Sequence, residues 1–203
     1  MISDWDVLDW RRRIAVLYES VRALTREVNA ETAHDLWALG RTSLLRTHRA
    51  SPLPPAKRAQ HRGGNVAPYD PAYRFVVPVQ RAGAKLRQVE TGTDGVVTYR
   101  RIGRIMLPDL GTLDAWWVVG YGGGLFLPMK DSTSGAQTYG GGRYLLDTIK
   151  GADLGSIQGR LIVDLNFAYQ PSCAYDESWA CPLPGPENTL AAAVPVGELY
   201  RPS

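Results

Sequence analysis

The residues of this chain best suited to chemistry gather in one stretch, Asp164 to Asn188, with the sequence DLNFAYQPSCAYDESWACPLPGPEN. The stretch holds both cysteines of the chain and four of its prolines, so it cannot continue a helix or a central strand. Its aromatic residues argue against disorder, because disordered segments are poor in aromatics. A long ordered loop in a compact domain is usually functional. We therefore expect this loop to cover a binding or catalytic site.

Arg143 follows a triple glycine, in the run YGGGR that begins at Tyr139. The glycine N–H groups and the forked guanidinium could together bind an anion. The alternative is a structural ion pair in a bulged loop. Asp164 and Asn166 end a predicted strand just before the long loop, and we expect both to lie beside Arg143 if the two strands are antiparallel neighbours. Asp164 would then be the carboxylate partner that a buried guanidinium requires.

The chemical type of each polar side chain in and near the long loop suggests its role in a binding or catalytic site. Arg143 would orient a ligand, Asp164 or Glu187 would transfer protons, and Tyr139 and Asn166 would donate hydrogen bonds. For Asn188, holding the loop in place is the favoured alternative to contact with a ligand. The candidate catalytic residues are Asp164, Glu187 and Tyr139, and the candidate ligand-binding residues are Arg143, Asn166, Tyr169, Lys130, Asn188 and Cys173.

The two cysteines, Cys173 and Cys181, have seven residues between them. A zinc site needs a closer cysteine spacing and further ligands, and the three histidines all lie in the N-terminal third of the chain. We therefore predict no metal and no cofactor. Three interpretations of the cysteines stay open: free thiols packed as small apolar groups, a disulfide, or a nucleophilic cysteine activated by His48.

Several of these blocks resemble the signature of the bacterial and archaeal domain-of-unknown-function 1684 family. The matching runs are TYGGGRYL from Thr138, LDTIKG, and IVDLNFAYQPSCAYDESWACPLPGPENTL. Further matches are the blocks at 125–135, 48–53 and 68–75, and Gln170 departs from the asparagine of the family pattern. The resemblance covers most of the chain and implies no established activity.

Two helices are predicted at the N-terminus, over residues 6–24 and 31–47. In the first, apolar residues recur at spacings of three and four, which is typical of one face of an amphipathic helix. In the second, Gly40 interrupts the pattern and indicates a close helix crossing. A short connection favours an antiparallel pair.

The hydrophobic period changes to two after Tyr73. Turn signals at 82–83, 93–95, 109–111 and 122–124 separate short strands with no helix between them, which predicts an antiparallel sheet. The predicted strands cover residues 73–80, 85–90, 96–107, 113–121, 125–129, 143–146, 160–166 and 193–196. The predicted fold class is α+β, an N-terminal helical pair packed on a curved antiparallel β-barrel or β-sandwich, with a helical segment and connector at 1–62 and a β domain at 63–203.

Composition narrows the class of protein. The chain has 203 residues, 44% of them hydrophobic, and a net charge of +3. This charge is too small for a nucleic-acid-binding surface, and no apolar run is long enough for a membrane span. We expect a cytoplasmic protein that binds a small molecule and has no nucleic-acid or membrane partner. A homodimer is one of the assembly states that the sequence allows.

The favoured functional hypothesis is the binding or turnover of a small organic molecule with an acidic or carbonyl group. The pocket would be metal-free and nucleotide-free, and the chemistry would be of the lyase, cyclase or hydrolase type by general acid/base catalysis. The alternative is a non-catalytic protein-interaction or structural module. A filled interior would favour this alternative.

Overall fold

The structure is a computed structural model that describes residues 2–61, 63, 65–91, 95–179 and 181–200. Its helices are α1 (Asp4–Glu27), α2 (Ala30–Thr47) and the short α3 (Pro55–Arg58). The strands are β1 (Asn65–Val66), β2 (Arg74–Val77), β3 (Leu86–Thr91), β4 (Gly95–Leu107), β5 (Gly111–Val118), β6 (Gly124–Met129), β7 (Arg143–Asp147), β8 (Ser156–Ile157), β9 (Arg160–Asp164) and β10 (Glu198–Leu199).

The two predicted helices are present, and each begins with a polar cap. Ser3 and Asp6 form a reciprocal capping box, and Asn29 accepts a hydrogen bond from the Thr32 N–H. Such caps satisfy backbone donors that the first turn leaves free. The predicted amphipathic face of α1 is confirmed, with Ile14, Tyr18 and Val21 buried.

The close crossing of α1 and α2 occurs at Gly40, as predicted. A Cβ atom at Gly40 would lie 2.6 Å from Leu17 Cδ1, so the glycine lets the two helices approach. Leu17 is only partly buried, because this side of the crossing opens to a surface groove. The glycine therefore sets the spacing of the helical pair.

The strands form antiparallel sheets, which confirms the α+β class. A five-stranded meander has the order β3-β4-β5-β6-β7, a three-stranded sheet has the order β2-β9-β8, and β1 pairs with β10. Every pairing between these strands is antiparallel. Among the described residues the pairings form no closed barrel, so the barrel or sandwich remains a prediction.

Four predicted strands differ from the structure. Strand β2 ends at Val77 instead of residue 80, and β5 ends at Val118 instead of residue 121. Residues 193–196 are irregular, and β10 follows them; the carbonyls of Val194 and Val196 accept hydrogen bonds from Arg143 instead of from a neighbouring strand. The strand predicted to reach residue 166 ends at Asp164, which caps a 3-10 helix at Leu165–Phe167. The predicted turn at 93–95 lies partly outside the described residues.

One hydrophobic core joins the helices and the sheets. It includes Ile14 and Trp37 from the helical pair, Leu127 from β6 and Phe167 from the long loop. A smaller aromatic cluster lies on another part of the sheet, with Tyr99, Trp116, Phe126 and Tyr144. The division of the chain at residue 62 stays a prediction.

Candidate functional site

Arg143 is a structural residue rather than an open anion site. Its side chain is 1% exposed, and Nη2 lies 2.9 Å from Asp131 Oδ2. The guanidinium also donates to the carbonyls of Val194, Val196 and Glu198. Burial lowers its pKa, while Asp131 opposes that effect. These partners surround the guanidinium and tie β7 to the C-terminal segment.

The predicted pair of Arg143 and Asp164 is wrong, because the carboxylate partner of Arg143 is Asp131. Strands β7 and β9 belong to different sheets, so the end of one does not lie beside the start of the other. Asp164 Oδ1 instead accepts from Asn166 Nδ2 at 2.8 Å, and its Oδ2 lies 3.7 Å from Arg74 Nη1. Burial raises the Asp164 pKa, with the Asn166 hydrogen bonds as the main opposing effect. The three residues predicted to converge therefore form two separate clusters.

Asn166 and Asn188 both hold backbone segments. Asn166 is fully buried and bonds the N–H and the carbonyl of Asp70, each at 2.9 Å. Asn188 accepts from the Trp116 indole at 2.9 Å and donates to the carbonyls of Asp114 and Pro128. For Asn188 this is the loop-holding role that the sequence favoured.

Glu187 and Lys130 lie beside Asn188 at the end of the loop. Glu187 Oε2 is 3.3 Å from Lys85 Nζ. The Lys130 backbone bonds to Asn188 and Leu190, which joins the end of the loop to β6. Neither is among the described residues that line the cavity beneath the helices.

Cys173 and Cys181 lie inside the long loop, and Tyr139, which precedes β7, contacts them from outside it. Both cysteines are free. Tyr139 Oη donates to Cys173 Sγ at 3.7 Å, and the Cys173 N–H donates to Cys181 Sγ at 3.3 Å. Burial raises the pKa of Tyr139 to about 12. His48, the proposed activator, bonds instead to Asp9 and to the Ala50 N–H.

A cavity of about 60 Å³ lies between the helical pair, β7 and the long loop. Of the predicted site residues, Tyr169 alone is among the described residues that line it. The lining residues that matter chemically are Tyr18, Trp37, Arg41, Asp147, Tyr169 and Cys181. The long loop therefore covers a cavity. Most of the polar groups that line this cavity belong to the helices and to β7.

The cavity wall includes a buried ion pair between Arg41 and Glu198. Arg41 Nη2 also donates to the Gln170 carbonyl at 3.2 Å and to Tyr175 Oη at 3.3 Å, and the guanidinium lies over the Tyr169 ring. Glu198 further accepts from the Gln170 N–H. This network connects α2, the long loop and β10, and it fixes the wall in one geometry.

Two buried donors of the wall lack a hydrogen-bond partner among the described residues. Tyr18 Oη and Trp37 Nε1 are both inaccessible to solvent and unpaired. The indole lies near enough to lower the Tyr18 pKa slightly, but the two groups do not meet hydrogen-bond geometry, and burial raises that pKa overall. Buried polar groups normally have a hydrogen-bond partner, so two neighbouring donors without one are unusual.

Asp147 is the carboxylate among the described residues that line the cavity directly. Burial raises its pKa, and Lys150, whose Nζ lies 3.7 Å from Asp147 Oδ2, opposes that effect. A buried acid with a raised pKa beside a cavity is a typical candidate for proton transfer. Among the described residues, no group of three or more His, Cys, Asp or Glu side chains is placed to hold a metal ion.

Four residues that line the cavity were not predicted from the sequence as site residues: Tyr18, Trp37, Arg41 and Asp147. Trp37 and Tyr18 fall on the apolar faces of their helices, which indicated only core packing. Arg41 carried the clearer signal, because it lies four residues after Trp37 and four before Leu45, on the buried face of α2. A charged residue at this spacing indicates a buried partner.

These features define an α+β protein in which a helical pair and a proline-rich loop enclose a small aromatic and polar cavity. Residues 59–199 match the family described as "Protein of unknown function (DUF1684)", and the chain belongs to this family. The resemblance found in the sequence is thereby confirmed, although the block at 48–53 precedes the matched range.

A solved structure with a similar fold is the solution NMR structure of an uncharacterized protein of Haloarcula marismortui. The two sequences are 31% identical, the match covers 84% of this chain and 94% of that chain, and the TM-score is 0.57. No curated protein matches the chain. Within the described residues, no helix combines the length and the apolar character that crossing a membrane requires.

Proposed function

We propose that the protein binds, and through Asp147 acts on, a small organic molecule with a carbonyl or acidic group in the cavity beneath the helical pair. The unpaired donors Tyr18 Oη and Trp37 Nε1 carry this proposal. Both donors are closed to solvent in this structure, so a ligand would have to displace part of the cavity wall to reach them. Two neighbouring donors of this kind are suited to one acceptor oxygen, as in a site that stabilises an oxyanion. Asp147 would supply or accept a proton, which is chemistry of the lyase, cyclase or hydrolase type without metal or nucleotide.

The size of the cavity limits what enters it. A single water needs roughly 10–15 Å³ of such volume, so about 60 Å³ accommodates a group of a few non-hydrogen atoms. The reacting group of the ligand would lie inside, and the rest would extend past Lys150, whose side chain is 54% exposed. A cation at the mouth favours an acidic ligand.

We also propose that the sheets act together as one curved wall, an open form of the predicted barrel. Gln80, which follows β2, exchanges two backbone hydrogen bonds of 2.9 Å with Arg104 of β4. Tyr144 of β7 makes a similar bridge with Tyr169. The first bridge links the segment after β2 to the meander, and the second links the meander to the long loop. Both support a continuous wall behind the cavity.

The Trp37 indole gives a direct test of the site. We expect acetate, or a larger carboxylate such as benzoate, to shift the Trp37 indole N–H resonance downfield in ¹⁵N-labelled protein, because the donor gains an acceptor. Trp116 is the internal control, since its indole already donates to Asn188 at 2.9 Å. Acetone tests the carbonyl alternative in the same experiment.

The Tyr18→Phe variant removes one of the two donors and should weaken carboxylate binding by roughly 5- to 10-fold, the equivalent of about one hydrogen bond. Tyr69→Phe is the matched control, because the Tyr69 hydroxyl bonds to Asp164, away from the lining residues. An indole resonance of Trp37 that no carboxylate or ketone moves, in a folded protein, would refute the proposed site.

A second candidate is the protein-interaction module, which an exposed apolar face of the sheet favours. Leu86, Val96, Trp117 and Val119 are each more than one third exposed, and Leu86 and Trp117 flank Arg100 on one cross-strand row. Soluble monomers rarely leave large apolar patches open. Sedimentation of the wild type and of Trp117→Arg would distinguish a homodimer through this face from a monomer.

A further inference from the structure

The two cysteines of the long loop form a close pair. The Cys173 N–H donates to Cys181 Sγ at 3.3 Å, and the Cys173 thiol is also a hydrogen-bonding neighbour of that sulfur. Cys173 belongs to a 3-10 helix at Ser172–Ala174, and Tyr144 Oη donates to the Pro182 carbonyl at 2.9 Å, next to Cys181. Backbone contacts thus hold both sides of the pair.

The two thiols differ in their acidity. The hydrogen bond from Cys173 lowers the pKa of Cys181 to about 6, with smaller contributions from Lys150 and Tyr144, although burial opposes them. The Cys173 pKa is raised, first by its hydrogen bond to Cys181 and then by burial. The opposite directions of the two pKa shifts make Cys181 the more acidic thiol of the pair.

Access differs as well. Cys181 is partly buried and lines the cavity beneath the helical pair, whereas Cys173 is not among the described residues that line it. A reagent that enters from the cavity meets Cys181 first. Cys173 is also partly exposed, and it accepts a hydrogen bond from the Tyr139 hydroxyl.

We propose that Cys181 and Cys173 form a thiol–disulfide exchange site for low-molecular-weight disulfides, with Cys181 as the attacking thiolate and Cys173 as the resolving thiol. This inference does not rest on the proposed carboxylate or carbonyl ligand. It needs only the proximity of the two sulfurs and the open side of Cys181.

The exchange proceeds in two balanced steps. The Cys181 thiolate attacks one sulfur of the small disulfide RSSR, forms a mixed disulfide and releases RS⁻. Cys173 then gives its proton to a released thiolate and attacks Cys181 Sγ, so that the second RS⁻ leaves. The two cysteines are oxidised by two electrons, RSSR is reduced to two thiols, and the product is a Cys173–Cys181 disulfide.

Glutathione disulfide is the probe, and intact mass after an acid quench is the readout. We expect the reduced wild type to lose two hydrogens without a stable adduct. Cys173→Ser should accumulate one glutathionyl adduct on Cys181, since the resolving thiol is gone. Cys181→Ser should stay unmodified over the same interval.

A stable adduct on the wild type, equal reaction of both single variants, or no reaction of a folded Cys173→Ser protein would each overturn the proposal. Circular dichroism checks that the variants fold.

A second experiment uses the wild type alone. The protein is labelled with short pulses of iodoacetamide at a series of pH values and is then cleaved after Glu177, which separates the two cysteines into different peptides. Labelling of Cys181 should reach half its maximum rate near pH 6, and a midpoint near the free-thiol value of roughly 8.5 would contradict the assignment.

Discussion

The Arg143 guanidinium donates hydrogen bonds to groups that lie far from it in the sequence or across a loop. Asp131 lies 12 residues before it, and the carbonyls of Val194 and Val196 lie more than 50 residues after it. Removing one partner of a buried ion pair leaves the other charge without compensation. We expect Arg143→Met to lower the free energy of unfolding by about 3–5 kcal/mol, measured by urea denaturation.

Arg104→Met is the matched control for that substitution. The Arg104 side chain is 45% exposed, and Asp114, its partner, keeps a second bond to Arg101 at 2.8 Å. Because Arg104 is nearly half exposed and the buried Asp114 keeps its bond to Arg101, a loss below about 1 kcal/mol is expected. Equal losses in the two variants would contradict the structural role of Arg143.

At the scale of elements, helix α1 contributes one buried stripe. Ile14 is 7% exposed and packs in the main core, while Val16, two residues later, is 59% exposed. Ile14→Ala should cost about 2–5 kcal/mol because it opens a cavity. Val16→Ala should change stability by no more than about 0.5 kcal/mol. Thermal denaturation of both variants tests the docking of the helix, and an unchanged Ile14→Ala protein would mean that this face is free.

The elements also show what the sequence could predict. Helix α1 and the Gly40 crossing follow from patterns within a few residues, and the structure has them where they were expected. The segment at 193–196 was predicted as a strand from its apolar residues, but Arg143 takes its carbonyls. The β-propensity of a segment depends on its neighbouring strands, so it could not predict that a side chain distant in the sequence would bond to these carbonyls.

The candidate site was harder to predict for the same reason. The roles of Asp164 and Arg143 depended on which strands are neighbours, and β7 and β9 belong to different sheets. Tyr169, a predicted ligand-binding residue, does line the cavity, and its role there stays a prediction. Tyr18 and Trp37 resemble ordinary core residues in the sequence, and only the lack of partners in the fold distinguishes them.

For the whole molecule, the shared core predicts cooperative unfolding. His34 of α2 lies 3.0 Å from the Asn166 carbonyl, and Arg22 of α1 donates to the Asp153 carbonyl. Opening the helical pair would expose the core and leave Glu198 buried without Arg41. We expect hydrogen exchange in increasing urea to give one unfolding free energy for peptides of α1, α2 and β5. Earlier exchange in the helices alone would instead support a separate unit ending near residue 62.

The ion pair of Arg41 and Glu198 has a consequence for synthesis of the chain on the ribosome. Its two members are 157 residues apart, and the glutamate is made last. While the chain emerges, the guanidinium of the second helix has no carboxylate from the final strand, and burying it unpaired is costly. The nascent helices therefore cannot close over the loop in their final form before Glu198 has been added. This part of the molecule completes its folding only after residue 198 has left the exit tunnel.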